Sequence, residues 1–213
     1  MKNFNAILTI LLTTLLLFSC KSIPQEESKQ IVDENLQEIQ ASPYLSRNLM
    51  DKGQLSAGQL TKFFLSKRPE ADVNVIINMA ANYIAEANDE GINSDVAFAQ
   101  MCLETGYLKY GNLVKANMNN FCGLGAENAE HPGESFPTQL LGIRAHIQHL
   151  QAYATNEDVK LNNELVDPRY NWPHKAIYAQ TIWDLTGKWA TDPEYGQKIE
   201  EILCNMEKLF PKN

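Results

Sequence analysis

Apolar residues recur at steps of three and four along most of the chain beyond Tyr44, which is the spacing of amphipathic α-helices. Four stripes follow one another along the chain: Leu60, Phe63 and Phe64; Val73, Ile76, Ile77, Ala80, Ile84 and Ala87; Leu140, Ile143, Ile147, Leu150 and Ala154; and Tyr195, Ile199, Ile202, Met206 and Leu209. No alternating run of strand length competes with them, and no repeat of solenoid length occurs. The pattern predicts a mainly α domain.

Capping residues predict where several of these helices begin and end. Ser56 is a suitable N-cap for the first stripe, and Gly91 a suitable end for the second. Asn93 precedes a third helix that is expected to run to Thr105. The last helix is predicted to start at Asp192, because the proline that follows suits the first helical position.

Residues 112–137 lack this periodicity and hold five Gly or Pro residues. That composition is typical of turns. We therefore expect a loop there, with at most a short hairpin, before the long helix that follows Thr138.

The first 20 residues have a different pattern. Lys2 precedes an uncharged run over residues 6–18, which Ser19 and Cys20 close before polar sequence begins. A helix of this length spans only about 20 Å, less than the roughly 30 Å of a bilayer's hydrocarbon core, so the run indicates an export signal. Its end resembles the signal of bacterial lipoproteins, in which the cysteine becomes the lipidated first residue.

These features divide the chain into three predicted parts: a lipoprotein signal peptide over residues 1–19, a lipidated Cys20 with a flexible tether over residues 20–43, and a globular domain over residues 44–213. The resemblance implies an exported bacterial lipoprotein, anchored to a membrane and facing the periplasm or the cell surface. Ordinary secretory cleavage that leaves Cys20 free is the alternative.

Composition and charge narrow the possible functions. Apolar residues make up 44% of the chain, enough for a sizeable core. The net charge is −8 and the basic residues are scattered, which argues against nucleic-acid binding. No Cys, His and carboxylate grouping has the spacing of metal ligands, so no metal and no other cofactor is expected. We expect a monomer.

Three cysteines lie beyond Cys20, namely Cys102, Cys122 and Cys204. An odd number permits at most one disulfide and one thiol. Cys102 and Cys204 lie in apolar helical patterns, where buried small hydrophobic side chains are the simpler interpretation.

Glu104 is the acidic residue best placed for chemistry. Its carboxyl group borders an apolar helix face, since Gln100 and Met101 lie one turn below it. It also occupies the last turn of its helix, where the helix dipole and unpaired carbonyl groups disfavour an anion. Both effects raise the pKa of a carboxyl group, as a general acid near neutral pH requires. A solvated glutamate near a helix end is the alternative.

Three short motifs follow one another through the domain: AFAQMCLETG at residues 97–106, NNFCGLG at residues 119–125 and WATDPEYGQKI at residues 189–199. They resemble, in the same order, the A-x-A-Q-x-x-L-E-T/S-G helix, the N-N-L/F-F-G-I segment and the Y-A-T-D-P-x-Y-x-x-K-I segment of the bacterial glucosaminidase domain, glycoside hydrolase family 73. Three motifs in order are more specific than any one alone.

The resemblance implies a lysozyme-like helical fold with a short loop or hairpin lobe, and hydrolysis of the β-1,4 bond that follows N-acetylglucosamine in peptidoglycan. Glu104 falls on the family's acid. The family's second carboxylate usually comes from the lobe after the second motif, where Glu134 and Glu127 are the nearest acids, although neither matches a motif residue. Solvated loop acids are the alternative for both.

Four motif residues are candidates for binding the glycan: Asn120, Phe121, Gly123 and Tyr195. An Asn amide can bridge an acetamido group, and an aromatic ring suits the face of a sugar. Equally, Asn120 and Phe121 could fix their loop, and Tyr195 could pack in the core. His146 and His149 flank a helical stripe, where a structural role is the simpler interpretation.

The leading prediction is therefore an endo-β-N-acetylglucosaminidase that acts on the glycan strands of peptidoglycan. One alternative is a muramidase or lytic transglycosylase on the same glycan. The other is a non-catalytic lipoprotein that binds peptidoglycan.

Overall fold

Six α-helices make up nearly half of the part of the chain that the structure describes. The computed structural model describes residues 43–156, 158–176 and 178–212, so the predicted signal peptide, Cys20 and the tether up to residue 42 lie outside it. The helices are α1 (Ala57–Lys67), α2 (Val73–Glu90), α3 (Ser94–Thr105), α4 (Gln139–Ala154), α5 (Asn171–Ala176) and α6 (Tyr195–Leu209), with 3₁₀ helices at Ala116–Met118 and Ile182–Leu185. These described residues form no strand, which confirms the prediction of a mainly α domain.

The predicted caps hold the first three helices. Ser56 Oγ accepts a hydrogen bond from the Gln59 backbone N–H at 3.3 Å and completes a capping box at the start of α1. Asn93 Oδ1 accepts from the Asp95 backbone N–H at 3.1 Å at the start of α3. Gly91 ends α2 with φ 72°, a left-handed conformation that glycine adopts without strain.

The central helix of the domain is α3. It contacts α1, α2, α4 and α6, and ten of its 12 residues are buried. Within α3, Leu103 and Glu104 alone are partly exposed. Glu104 therefore lies where a buried helix reaches the surface.

Two residues of the predicted stripes are exposed. Val73 and Leu140 are 51% and 39% exposed, although each begins a stripe whose later residues are mostly buried. Both lie in the first turn of their helices, at the ends that extend past the core. Further along α4, Ile143, Ile147 and Leu150 are fully buried, as the pattern predicted.

The predicted start of the last helix was also wrong. Helix α6 begins at Tyr195, and Glu194 rather than Asp192 occupies the N-cap position. The Asp192 carboxylate accepts from the Glu194 backbone N–H at 2.9 Å and also pairs with Lys198. This local turn competes with helical geometry, because aspartate readily bonds to the backbone two residues ahead.

The connection between α3 and α4 is a loop and not a regular hairpin. One antiparallel bridge joins Ala126 to Pro132, and the Glu127 backbone N–H donates to the His131 carbonyl at 2.9 Å. The short lobe that the sequence predicted is therefore closed by a single bridge in the described residues.

Cys102, Cys122 and Cys204 are free thiols. Burial of Cys102 agrees with its interpretation as a small hydrophobic residue, whereas Cys204 is only partly buried and donates from Sγ to Glu200 at 3.2 Å. Within the described ranges, no helix has both the length and the apolar character needed to cross a bilayer.

Candidate active site

A cleft of about 570 Å³ opens beside the C-terminal end of α3. Its walls come from that helix end, from the loop that follows it and from the segment after the second 3₁₀ helix. The residues that define it are Glu104, Tyr110, Asn112, Asn120, Gly123 and Trp189. The volume is typical of a site for a small ligand or a few sugar units.

Glu104 is held by two donors from the C-terminal third of the chain. Trp189 Nε1 donates to Glu104 Oε1 at 3.0 Å, and the Tyr195 hydroxyl donates to the same oxygen. Burial raises the pKa of Glu104, while these two hydrogen bonds act in the opposite direction. The net direction is the one expected from the sequence for a general acid.

The two carboxyl oxygens of Glu104 have different surroundings. Oε1 accepts from both donors, whereas a Cβ built at Gly123 would lie 3.8 Å from Oε2. No described residue donates to Oε2, and because no buried side-chain oxygen of the described residues lacks a partner, Oε2 is accessible beside Gly123, which lines the cleft. Because Oε1 is already engaged by two N–H and O–H groups, the proton of the neutral acid belongs on Oε2.

A series of buried polar side chains, joined by hydrogen bonds, leads away from Tyr195. Gln100 Nε2 donates to the Tyr195 hydroxyl at 2.8 Å, and Gln100 Oε1 lies 3.0 Å from His146 Nε2. His146 Nδ1 in turn lies 2.9 Å from the Tyr83 hydroxyl. The series therefore runs from Tyr83 in α2 to Glu104 at the cleft.

The charge state of His146 sets the direction of the hydrogen bonds in this series. Burial lowers the pKa of His146 to about 3, so the ring is neutral near neutral pH. A neutral ring donates from one nitrogen and accepts at the other, and donation to Gln100 Oε1 leaves Nδ1 to accept from Tyr83. Gln100 then presents its NH₂ group to Tyr195, whose own proton is left for Glu104.

Asn120 and Phe121 contribute mainly to the loop and the core. Asn120 is fully buried, and its NH₂ group donates to the carbonyls of Leu124 and Glu134 at 2.9 and 3.0 Å. Its Oδ1 accepts from the Leu124 backbone N–H at 2.9 Å. Phe121 is 3% exposed and belongs to the main hydrophobic core. The polar atoms of the Asn120 side chain are therefore all engaged by backbone groups of its own loop.

The loop that carries Asn120 rests directly on α4. A Cβ built at Gly142 would lie 1.8 Å from the Asn119 carbonyl oxygen, so only glycine permits this approach. Asn119 itself has φ 50°, a left-handed conformation that Asn tolerates better than most residues. The contact holds the segment that carries Asn120, a residue of the cleft lining, against α4.

Neither candidate for a second carboxylate is among the described residues that line the cleft. Glu134 is partly exposed and packs against Gly125, where a built Cβ would lie 3.3 Å from its Oε1. Glu127 is exposed and faces Arg169. Among the described residues that line the cleft, Glu104 is the one carboxylic acid. Residues 43–212, so far as they are described, also contain no cluster of three potential metal ligands.

Comparison with known proteins gives the family. The sequence profile described as "Glucosaminidase: Mannosyl-glycoprotein endo-beta-N-acetylglucosaminidase" matches residues 80–208, more than half of the chain. The chain belongs to the glucosaminidase family. It is also 42% identical over 179 residues to an uncharacterised protein of Borreliella burgdorferi, which covers 84% of this chain and 86% of that protein. No solved structure matches the chain.

The matched range of the glucosaminidase family begins within α2 and contains Glu104, both of its hydrogen-bond donors and the whole cleft. Family membership places the protein among the glycoside hydrolases.

Two residues of the site were not predicted from the sequence. Trp189 begins the third motif, and Gln100 lies in the first motif one turn before Glu104. Their place within motifs was the available signal, but periodicity alone assigns Gln100 to a buried helix face. Trp189 contacts Glu104, and Gln100 contacts Tyr195. Both contacts join segments that are far apart in the sequence, so they depend on tertiary packing.

Proposed function

We propose that the protein is a peptidoglycan hydrolase that cleaves the β-1,4 bond following N-acetylglucosamine, with Glu104 as the general acid. The observation that carries the proposal is the environment of Glu104. Its pKa is raised by burial, Oε1 is held by Tyr195 and Trp189, and Oε2 is left on the side of a cleft large enough for sugars.

In the first step, the proton on Glu104 Oε2 passes to the glycosidic oxygen as the bond between that oxygen and C1 breaks. The departing chain then leaves as an alcohol. Tyr195 and Trp189 stabilise the carboxylate that forms, because both donate to Oε1. That carboxylate can next accept a proton from the water molecule that attacks C1.

Glu104 has no acidic partner among the described residues that line the cleft. Assistance by the substrate's own 2-acetamido group suits this arrangement, since its carbonyl oxygen can attack C1 as the leaving group departs and water can then open the cyclic intermediate. Glu134 remains the candidate if a second carboxylate from the loop takes part.

The single acid also favours a second candidate function, lytic transglycosylation. In that reaction, the C6 hydroxyl of N-acetylmuramic acid attacks C1 of the same sugar and forms a 1,6-anhydro ring, while one acid protonates the leaving oxygen and then accepts the hydroxyl proton. Both reactions need one acid that protonates the leaving oxygen and then accepts a proton, and they differ in their products.

The family's description names mannosyl-glycoproteins, whereas we propose peptidoglycan as the substrate. Both contain N-acetylglucosamine beside a cleavable bond. The export signal expected over residues 1–19 and the lipid anchor expected at Cys20 favour a substrate in the cell envelope. We propose accordingly that the protein is an exported lipoprotein, and that it acts as a monomer.

Analysis of the new reducing ends tests these alternatives. Purified full-length protein is incubated with peptidoglycan, the products are reduced with borohydride, and the terminal sugars are identified by mass spectrometry. Reduced N-acetylglucosamine ends support the proposal. Reduced muramic ends indicate a muramidase, and anhydromuramic ends indicate a transglycosylase. Cleavage of a mannosyl-glycoprotein alone, or of neither substrate, contradicts peptidoglycan hydrolysis.

A further inference from the structure

Beyond Trp189 the cleft continues into a second groove of about 280 Å³, here called the side groove. Four residues line both cavities: Cys122, Gly123, Ala126 and Trp189. The side groove is bordered in addition by Glu127, His149, Arg169, Trp172 and Lys188. The two cavities therefore adjoin one another at these residues.

Two cationic side chains border the side groove in a chain whose net charge is −8. Arg169 Nη1 lies 3.5 Å from Glu127 Oε1, and these side chains are 39% and 58% exposed. An ion pair this long and this exposed is weak, so an incoming carboxylate can join or replace Glu127. Arg169 offers the paired N–H donors that carboxylates accept. The Lys188 ammonium group donates to the Tyr178 carbonyl and adds positive charge at the edge of the groove.

His149 adds a polar group at the base of the side groove. Its Nδ1 lies 2.8 Å from Oδ2 of buried Asp167, whose Oδ1 accepts from the Arg169 backbone N–H at 2.8 Å. This contact fixes the ring and leaves the opposite edge, with Nε2, for the groove. Nε2 makes no hydrogen bond to any described residue, although His149 is only 7% exposed. Because no buried side-chain nitrogen or oxygen of the described residues lacks a partner, Nε2 is accessible and is a suitable partner for a ligand.

Trp172 gives the side groove an exposed apolar wall. Its side chain is 59% exposed, which is unusual for a large aromatic residue and is typical of binding surfaces. Cations, a hydrogen-bonding ring and an indole face together suit an acidic peptide better than a neutral sugar.

We propose that the side groove binds the acidic peptide that branches from N-acetylmuramic acid, with a peptide carboxylate on Arg169 and the positive charge of Lys188 nearby. This inference rests on the proposed function. In peptidoglycan, N-acetylmuramic acid adjoins N-acetylglucosamine and carries, through its lactyl group, a short peptide with free carboxylates. The branch starts next to the bond that lies over Glu104 and meets the opposite charge beyond Trp189.

Calorimetric titration tests the proposal with two ligands, a soluble glycan fragment that carries its peptides and the same fragment after an amidase has removed them. Full-length protein with Glu104→Gln is used, so that the ligand is not consumed. We expect this protein to bind the peptide-bearing fragment more tightly. Adding Arg169→Ala and Lys188→Ala should weaken binding of that fragment by about 10- to 100-fold and bring the two affinities together.

Glu127→Gln should act in the opposite direction, because it removes the carboxylate that competes for Arg169, and binding of the peptide-bearing fragment should tighten. Lys52→Ala is the matched control, since Lys52 is exposed and lies outside both cavities. The proposal is overturned if the two fragments bind equally, or if the double change leaves their affinity ratio unaltered. If the groove variants behave as expected but wild-type protein releases no sugar ends from peptidoglycan, the hydrolase assignment fails while the peptide site stands.

Discussion

The Tyr195 hydroxyl donates a hydrogen bond to Glu104 Oε1 across 91 positions of the sequence. Gln100 donates to the same hydroxyl at 2.8 Å, so the proton of Tyr195 is directed at the carboxyl group. Glu104 therefore keeps one orientation whether it is protonated or ionised. Its Oε2 is the oxygen available for chemistry in the cleft.

Replacing Glu104 by Gln should nearly abolish turnover, because an amide keeps the shape but has no acidic proton. General acid assistance is typically worth about 10²- to 10⁴-fold in rate, and we expect a loss in kcat of that order. Release of reducing ends from peptidoglycan is the measurement. Near-normal cleavage by this variant would contradict the mechanism.

Glu134→Gln is the companion change. If Glu134 only packs beside Gly125, activity should change little, whereas a loss comparable to that of Glu104→Gln would identify it as the second carboxylate.

Tyr195→Phe should move the basic limb of the pH–activity profile to higher pH. The Tyr195 hydrogen bond lowers the pKa of Glu104, so its removal raises that pKa and extends the range in which the acid is protonated. The measurement is kcat/KM as a function of pH. Tyr170→Phe is the matched control, because it removes a buried hydroxyl bonded to Gln151 and remote from Glu104. An unmoved limb in Tyr195→Phe would show that the hydrogen bond does not tune the acid.

The free energy of unfolding should also depend on pH through the raised pKa of Glu104. Burial raises that pKa above the ordinary glutamate value of 4.5, so above pH 4.5 the folded protein binds more protons at this site than the unfolded chain does. The contribution of Glu104 to the free energy of unfolding is therefore fully present below pH 4.5, and it is lost as the pH rises through the pKa of Glu104 in the folded protein. In urea unfolding, the free energy of unfolding of Glu104→Gln relative to wild type should therefore increase with pH. A difference independent of pH would contradict the raised pKa.

Gly142→Ala should destabilise the protein by about 1–3 kcal/mol, because the new methyl group would overlap the Asn119 carbonyl and force the cleft floor away from α4. Gly58→Ala is the control within α1, where nothing lies within 4 Å of a built Cβ, and it should stabilise by roughly 0.5–1 kcal/mol through helix propensity. Urea unfolding of both variants checks the pair. Equal effects would argue against the close contact at Gly142.

Cys20→Ala should release the exported protein from the membrane, since the apolar run before it is too short to span a bilayer. Fractionation of cells that express wild type or variant is the measurement. Complete retention of the exported variant in the membrane fraction would exclude lipidation at Cys20 as the anchor.

The sequence by itself determined most of the helices and singled out Glu104 as a candidate acid. Steps of three and four place apolar side chains on one face, and Ser56, Gly91 and Asn93 carry caps that act within a few residues, so these features could be read locally. The start of α6 was not predicted correctly. The hydrogen bond from the Glu194 backbone N–H to Asp192 forms a turn, and this turn is as local in sequence as the helix that it replaces. Glu104 was identified because its position in a last helical turn and its motif are both local properties.

Only the tertiary structure decided how Glu104 is used. Periodicity does not show which distant side chain a carboxyl group will meet, because that depends on how α3 and α6 pack and on where the segment before α6 lies. Packing brings Trp189 and Tyr195 to Oε1, buries His146 in its neutral form behind Gln100, and joins the cleft to the groove of Arg169. The sequence thus singled out Glu104, and long-range packing decided which of its two carboxyl oxygens is held by other side chains.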